Sequence, residues 1–287
     1  MGVKAWAWRM INFLLYGNFW IAFAAAFLCW QTCFLLTGNL NLGLLPYFVF
    51  TATISLYATH RLVSLARLKS GQWQERFRVI AKDKAWIALY AAFFGSLSAF
   101  LFFFVPRAIQ WSLCLPALIS ILYVVPVIKG GKRIRDIHYL KIFLIALVWA
   151  WITVYLPAKS LHLHHQLSTY LLFLERFFFI FAITLPFDVR DLLLDDAQAV
   201  KTLPGVIGIR ASRVLGAILL LIASVLACLS FYYAIYEIGQ LMALLVSFGV
   251  AYYFLHFARP DKPDYYFTAY LDGTMILQFL LVLLSSY

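Results

Sequence analysis

Charge is what this 287-residue sequence has least of: only 12% of its residues are Asp, Glu, Lys or Arg. Soluble domains carry about 25%, so a water-facing surface of ordinary composition is excluded. Acids are the scarcer sign, with 12 Asp and Glu against 23 Lys and Arg. Cysteine is limited to Cys29, Cys33, Cys114 and Cys228, each inside an apolar run. Cys29 and Cys33 stand one helical turn apart, but no second ligand pair accompanies them. Each cysteine reads as a small buried hydrophobe, and neither a disulfide nor a zinc centre is expected. Short alternating segments are missing too, which excludes a β-barrel pattern.

What the chain has is apolar length. Hydrophobic residues make up 64% of it and the mean hydropathy is +0.88. A soluble fold of this size cannot hide so much apolar surface, so the bilayer is the expected solvent. A helix needs about 20 apolar residues to cross the hydrocarbon core. Nine stretches qualify: residues 11–36, 42–66, 85–105, 108–128, 138–158, 167–187, 213–233, 238–257 and 268–286. The expectation is an all-α integral membrane protein, a single transmembrane domain over residues 1–287. Lys4 and Arg9 precede an apolar run too long for a signal peptide, so that run is read as the first transmembrane helix.

Lys and Arg gather on one side of this topology. That side holds Lys4, Arg9, Arg67, Lys69, Arg76, Arg78, Lys82 and Lys84, then Lys129 to Lys141, Arg190 to Arg213, and Arg259 with Lys262. The opposite side has little beyond Arg107, Lys159 and Arg176. The N-terminus is therefore expected in the cytoplasm and the C-terminus outside, with a bacterial cytoplasmic membrane as the location. Anionic lipid heads account for the net charge of +11 without nucleic acid. The long connections fall on the cytoplasmic face, so function is expected there.

One acidic cluster does not fit a solvated loop. Asp188, Asp191 and Asp195 lie at i, i+3 and i+7 where the sixth helix meets the cytoplasmic interface. Stacked carboxylates at a membrane edge repel one another unless a cation neutralises them. Mg2+ suits such donors, because it takes one or two carboxylates and completes its octahedron with water and phosphate oxygens. Arg190 and Lys201 are nearby cations. The alternative is a helix end whose acids simply pair with those bases.

The stretch Asp188-x-x-Asp191-x-x-x-Asp195, followed by Lys201-Thr202-Leu203-Pro204, resembles the second aspartate-rich motif of the UbiA superfamily of intramembrane prenyltransferases. Leu122-Tyr123-Val124-Val125-Pro126 with Lys132-Arg133 is similar to that family's fourth-to-fifth helix connection. The resemblance implies a bundle of nine helices around a cytoplasm-facing cavity. It implies a polyprenyl diphosphate as donor, an aromatic or lipid acceptor, and Mg2+ on Asp188, Asp191 and Asp195. The family's first motif, N-D-x-x-D-x-x-x-D, has no such match. The equivalent stretch offers Tyr57, His60 and Ser64 where aspartates would stand, with Arg61 kept. None of the three is a good Mg2+ ligand.

Two readings follow. His60 and Arg61 contact the diphosphate directly, by charge-assisted hydrogen bonds, and chemistry survives. Otherwise the chain is a catalytically silent scaffold or lipid-binding protein on the same fold. Tyr57, Tyr123, Arg190, Lys201, Lys132 and Asp272 complete the candidate substrate-binding set. Asn12 and Asn18 could line the same cavity, though hydrogen bonding between helices is the commoner role. Lys69 and the Arg76–Arg78 stretch belong to the first inner loop. The outer cluster His162, His164 and His165 lacks a carboxylate or thiolate partner, and Glu175 with Arg176 reads as a surface-proximal pair.

Overall fold

A computed structural model describes residues 3–67, 81, 83–126, 133–197 and 200–285. Lys69, Arg76, Arg78 and Lys132 lie outside the described residues. Every regular element among those described is helical: α1 (Val3–Tyr16), α2 (Phe19–Thr37), α3 (Leu45–Arg67), α4 (Lys84–Phe102), α5 (Arg107–Val124), α6 (Leu140–Ser160), α7 (Leu167–Ala197), α8 (Leu203–Tyr232), α9 (Ile238–Phe257) and α10 (Tyr266–Leu284). The chain is an all-α membrane protein. The central helix is α7, which packs on α8, α6 and α9, while α2 joins α3 to α10.

Two expectations change. Among the described residues eight helices are long and apolar enough to cross a membrane, not nine. The second expected span exists as α3, and its 23 residues reach about 34 Å at 1.5 Å per residue. It falls short because Thr53, Tyr57, His60, Arg61 and Ser64 face an internal cavity and dilute its apolar content. The first expected span is broken in two at Gly17–Asn18. A Cβ on Gly17 would sit 2.2 Å from the Phe13 carbonyl oxygen, and Asn18 turns into the left-handed region at φ 65°, which Asn tolerates better than most residues. Neither asparagine is among the residues that line the cavity. Asn18 is fully buried in the turn, and Asn12 Oδ1 accepts from Tyr265 Oη.

Two π-turns interrupt helices that line the cavity, Trp151–Tyr155 in α6 and Tyr266–Leu271 in α10. The second ends where the Asp272 amide donates to the Phe267 carbonyl, at 3.2 Å. A π-turn shifts the register of every later side chain, and such turns are frequent at functional sites.

Glu175 and Arg176 are not surface-proximal: both are buried, at 1% and 0% exposure. Neighbours in a helix point about 100° apart, so the two do not face each other. Glu175 instead accepts a hydrogen bond from Tyr236 Oη at 3.1 Å.

Candidate functional site

A cavity of about 560 Å3 opens among α1, α2, α3, α5, α6, α7 and α10. That volume lies within the range of small-molecule sites, about 300–1,000 Å3. One part of its wall is apolar, built by Ile21, Ala25, Ile180, Ile183, Ile152 and Met275. The other part is ionic. Asp188, Asp191, Asp195, Asp264 and Asp272 face it from one side of the charge ledger, and Arg61, Arg133, Arg135, Lys141 and Arg190 from the other. The lining is thus balanced in formal charge.

Most residues singled out in the sequence meet here. Tyr57, His60 and Arg61 come from α3, Tyr123 from the end of α5, Asp188, Arg190, Asp191 and Asp195 from α7, and Asp272 from α10. Lys201 does not join them. It is exposed and is engaged through its backbone, its amide donating to His138 Nδ1 at 3.2 Å.

On the α3 side the groups are neutral and aromatic, apart from Arg61. Trp149 Nε1 donates to Tyr57 Oη at 3.3 Å. The His60 ring stacks on Tyr123, with centroids 5.8 Å apart and planes 20° apart. His60 Nε2 is buried and has no hydrogen-bond partner among the described residues. Arg135 lies over the other partner of that stack, its Cζ 5.0 Å from the Tyr123 centroid, a cation–π distance. Arg61 Nη1 donates to the Tyr16 carbonyl, tying α3 to the end of α1.

On the α7 side the groups are ion-paired. The Lys141 ammonium lies 2.7 Å from Asp188 Oδ1 and 3.5 Å from Asp195 Oδ2. The Asp188 contact is an ion pair whose angle falls outside hydrogen-bond geometry. Arg190 grips Asp191 with Nε at 2.9 Å and Nη2 at 3.1 Å, and reaches Asp264 with Nη1 at 3.3 Å. Its guanidinium also sits 5.2 Å from the Phe187 ring and 5.4 Å from the Phe267 ring. Arg133 is held by Asp136, which takes its amide at 2.8 Å and its Nη2 at 2.8 Å. Burial pushes the Asp195 carboxyl above its ordinary value; Lys141 opposes this, and Asp188 and Asp191 add to it. Asp272 makes no ion pair or side-chain hydrogen bond among the described residues.

The geometry bears directly on the Mg2+ that the aspartate spacing suggested. Among the described residues no three His, Cys, Asp or Glu side chains stand together as a metal-holding group. Helical arithmetic explains why: at about 100° per residue, i+7 returns to within about 20° of the start, whereas i+3 is turned by about 60°. Asp188 and Asp195 therefore share a face, two turns apart, and a long lysine reaches both. Asp191 turns aside to Arg190. The α3 side adds only Tyr57, His60 and Ser64. Mg2+ can be held by two carboxylates, but the two that share a face are already bridged by Lys141, so as arranged these donors do not fit a bound Mg2+.

From the sequence, Lys141 and Arg135 stand only among the basic residues of the inner face, Arg133 also belongs to the fourth-to-fifth helix connection, and Asp264 and Trp149 do not stand out. The available signal was position: Lys141 is the second residue of an otherwise apolar helix, where the positive end of the helix dipole disfavours a cation. A lysine placed there calls for an acidic partner.

No family model matches the chain, and no curated protein sequence matches it. Solved structures do share its fold. A UbiA homologue from Archaeoglobus fulgidus bound to DMAPP and Mg2+ superposes with a TM-score of 0.61 at 14% identity, over 94% of this chain and 99% of that one. The same homologue bound to GPP and Mg2+ gives 0.60 at 14% identity, with the same coverage. A structure from work on digeranylgeranylglyceryl phosphate synthase in membranes gives 0.59 at 15% identity, over 96% of each chain. The chain has the UbiA fold.

Proposed function

We propose that this UbiA-fold chain is a prenyltransferase, moving a polyprenyl group from its diphosphate to an aromatic or lipid acceptor within the membrane. The observation that carries the reading is the two-part cavity, apolar along one wall and densely ionic along the other. The prenyl chain lies on Ile21, Ile180, Ile183 and Met275, and the diphosphate meets the cations at the ends of α6 and α7. In the relatives of known structure the ligands are prenyl diphosphates with Mg2+. Here the donors do not fit that metal, so each step is assigned to side chains.

The allylic C–O bond breaks and its electron pair leaves with the diphosphate. To Arg135, Arg190 and Lys141, which line the cavity, the reading assigns stabilisation of that growing negative charge, the electrostatic task on which such a step depends. The rings of Tyr57, Tyr123 and Phe187 line the same cavity, and to them this reading assigns the allylic cation. The acceptor forms the new bond and gives up a proton, for which Asp272 is the lining carboxylate without an ion-pair partner among the described residues. The charged mouth faces the cytoplasm, in keeping with the distribution of lysine and arginine.

The test is binding of geranyl S-thiolodiphosphate to the full chain in nanodiscs, together with release of diphosphate from geranyl diphosphate in the presence of membrane lipids. Saturable binding that weakens in Arg190→Gln, with diphosphate release, supports the enzyme. One observation favours a second reading: Tyr57, His60 and Ser64 stand where the first aspartates would be. Binding without any release of diphosphate would favour the catalytically silent lipid-binding protein.

A further inference from the structure

We infer that Lys141 occupies the position a divalent cation would take between Asp188 and Asp195, and so makes this carboxylate cluster independent of metal. For the diphosphate itself the inference rests on the prenyltransferase reading above; for the metal it does not.

Three observations point the same way. First, the ammonium contacts both carboxylates that share a face of α7, at 2.7 and 3.5 Å. Second, all three groups are buried, with Lys141 9% exposed, Asp188 1% and Asp195 6%. A desolvated carboxylate must be neutralised, and the one ammonium between these two supplies half of that charge without an ion from solution, with Arg135 a further cation in the same lining. Third, Lys141 stands in the first turn of α6, against the helix dipole. Its carboxylate partners explain the placement, whereas a resident Mg2+ would repel it. The third carboxylate, Asp191, is committed to Arg190, and α3 supplies none. A metal entering this cluster would have to displace a tethered cation from low-dielectric surroundings, and the tether makes that cation's local concentration very high.

The consequence for the substrate is direct. The diphosphate is met by guanidinium and ammonium groups already in place, Arg135 over Tyr123 among them, rather than through bridging metal.

The first arm of the test uses metal alone. Mn2+, a carboxylate-preferring stand-in for Mg2+ with a paramagnetic signal, is titrated into the full chain in nanodiscs, and free Mn2+ is read by electron paramagnetic resonance. The parent and Lys141→Arg are expected to bind no Mn2+ at this cluster. Lys141→Met leaves two uncompensated carboxylates facing each other and is expected to bind Mn2+ stoichiometrically at this cluster, where the parent binds none. Melting followed by tryptophan fluorescence guards against a folding defect: Mn2+ should raise the Tm of Lys141→Met and leave that of the parent unmoved. Stoichiometric Mn2+ binding by the parent, lost in Asp188→Asn, would overturn the inference. So would a Lys141→Met variant as indifferent to Mn2+ as the parent.

The second arm adds geranyl S-thiolodiphosphate with EDTA or with Mg2+. Parent binding should agree within about twofold between the two conditions, a difference of about 0.4 kcal/mol or less. Binding only with Mg2+ would overturn the inference. If the analogue binds under neither condition while the Mn2+ arm comes out as expected, the prenyltransferase reading fails and the role of Lys141 stands.

Discussion

The inner ends of α3 and α7 face one another across the same cavity, yet they solve different physical problems. The α7 end carries Asp188, Asp191 and Asp195 and pairs them with cations from α6 and from its own turn, whose Arg190 also reaches Asp264 in the loop before α10. The α3 end carries Tyr57, His60 and Ser64 and is closed by aromatic contacts instead, with Trp149 on Tyr57 and Tyr123 on His60. If two acidic ends met across one cavity, each would need a cation from solution. With one acidic end and one that carries no acid, the chain's own lysine and arginine side chains suffice. The loss of carboxylates on α3 and the presence of Lys141 on α6 are therefore two sides of one electrostatic balance.

The comparison breaks most visibly on removing an α7 carboxylate. Asp188→Ala leaves the buried Lys141 with only the more distant Asp195. Stripping one partner from a buried ion pair costs about 3–5 kcal/mol, so the melting temperature in nanodiscs should fall steeply. Ser64→Ala, at the matching end of α3, should stay within about 0.5 kcal/mol. Equal losses in the two variants would mean that the ends are not electrostatically different.

Next in size is Arg190→Lys. Its fork holds Asp191 and Asp264 at once, between Phe187 and Phe267. Lysine keeps the charge but cannot fill that geometry. Charge-assisted hydrogen bonds of this kind contribute about 1.5–3 kcal/mol, so binding of the thiolodiphosphate analogue should weaken by roughly tenfold to a hundredfold. An unchanged affinity would assign Arg190 a packing role only.

The α3 side gives the smaller effect. Tyr57→Phe removes the acceptor of Trp149 Nε1 and nothing else. A single neutral hydrogen bond is worth about 0.5–1.5 kcal/mol. The variant should bind the analogue with little change, because this side is held by ring contacts. A loss larger than that of Arg190→Lys would reverse the assignment of the two ends.

Much of this was legible in the sequence, for physical reasons. Apolar runs long enough to span a bilayer have few alternatives, so the helical membrane class followed from hydropathy. The acidic end of α7 was visible because three carboxylates at helical spacing are costly at a membrane edge. What sequence could not show was where those carboxylates point once neighbouring helices are packed. Spacing placed Asp188, Asp191 and Asp195 on one broad face, but the 60° offset of Asp191 matters only when Arg190 is seen to take it. Lys141 was hidden because a base near an inner interface reads first as a lipid anchor. The missing ninth apolar span had a related cause, since a helix that lines a polar cavity carries the hydropathy of its cavity and not only of its lipid face. The broken first span was marked by Gly17 and Asn18, but an asparagine in an apolar run reads first as a partner for another helix.

The smallest effect is expected between the two ends, where the turn at Ile134–Asp136 presents Arg133 and Arg135 to the cavity. Burial would raise the Asp136 carboxyl, but the hydrogen bonds from Arg133 outweigh it and hold the group below its ordinary value of 3.8. A depressed carboxyl stabilises the fold above its unfolded pKa and loses that contribution as pH falls through the folded value. The turn should therefore keep its hydrogen-exchange protection from roughly pH 8 to about 5 and loosen only below about 4. The pair is partly open, with 9% and 15% side-chain exposure, so Asp136→Asn should cost about 1 kcal/mol at most. That variant should lose protection at residues 133–137 equally across the whole pH range, and its analogue binding should weaken less than that of Arg190→Lys. A parent turn that loosens already near pH 6 would mean that Arg133 is held by something other than Asp136. The cations standing between α3 and α7 would then owe their placement to the cavity contents rather than to the chain.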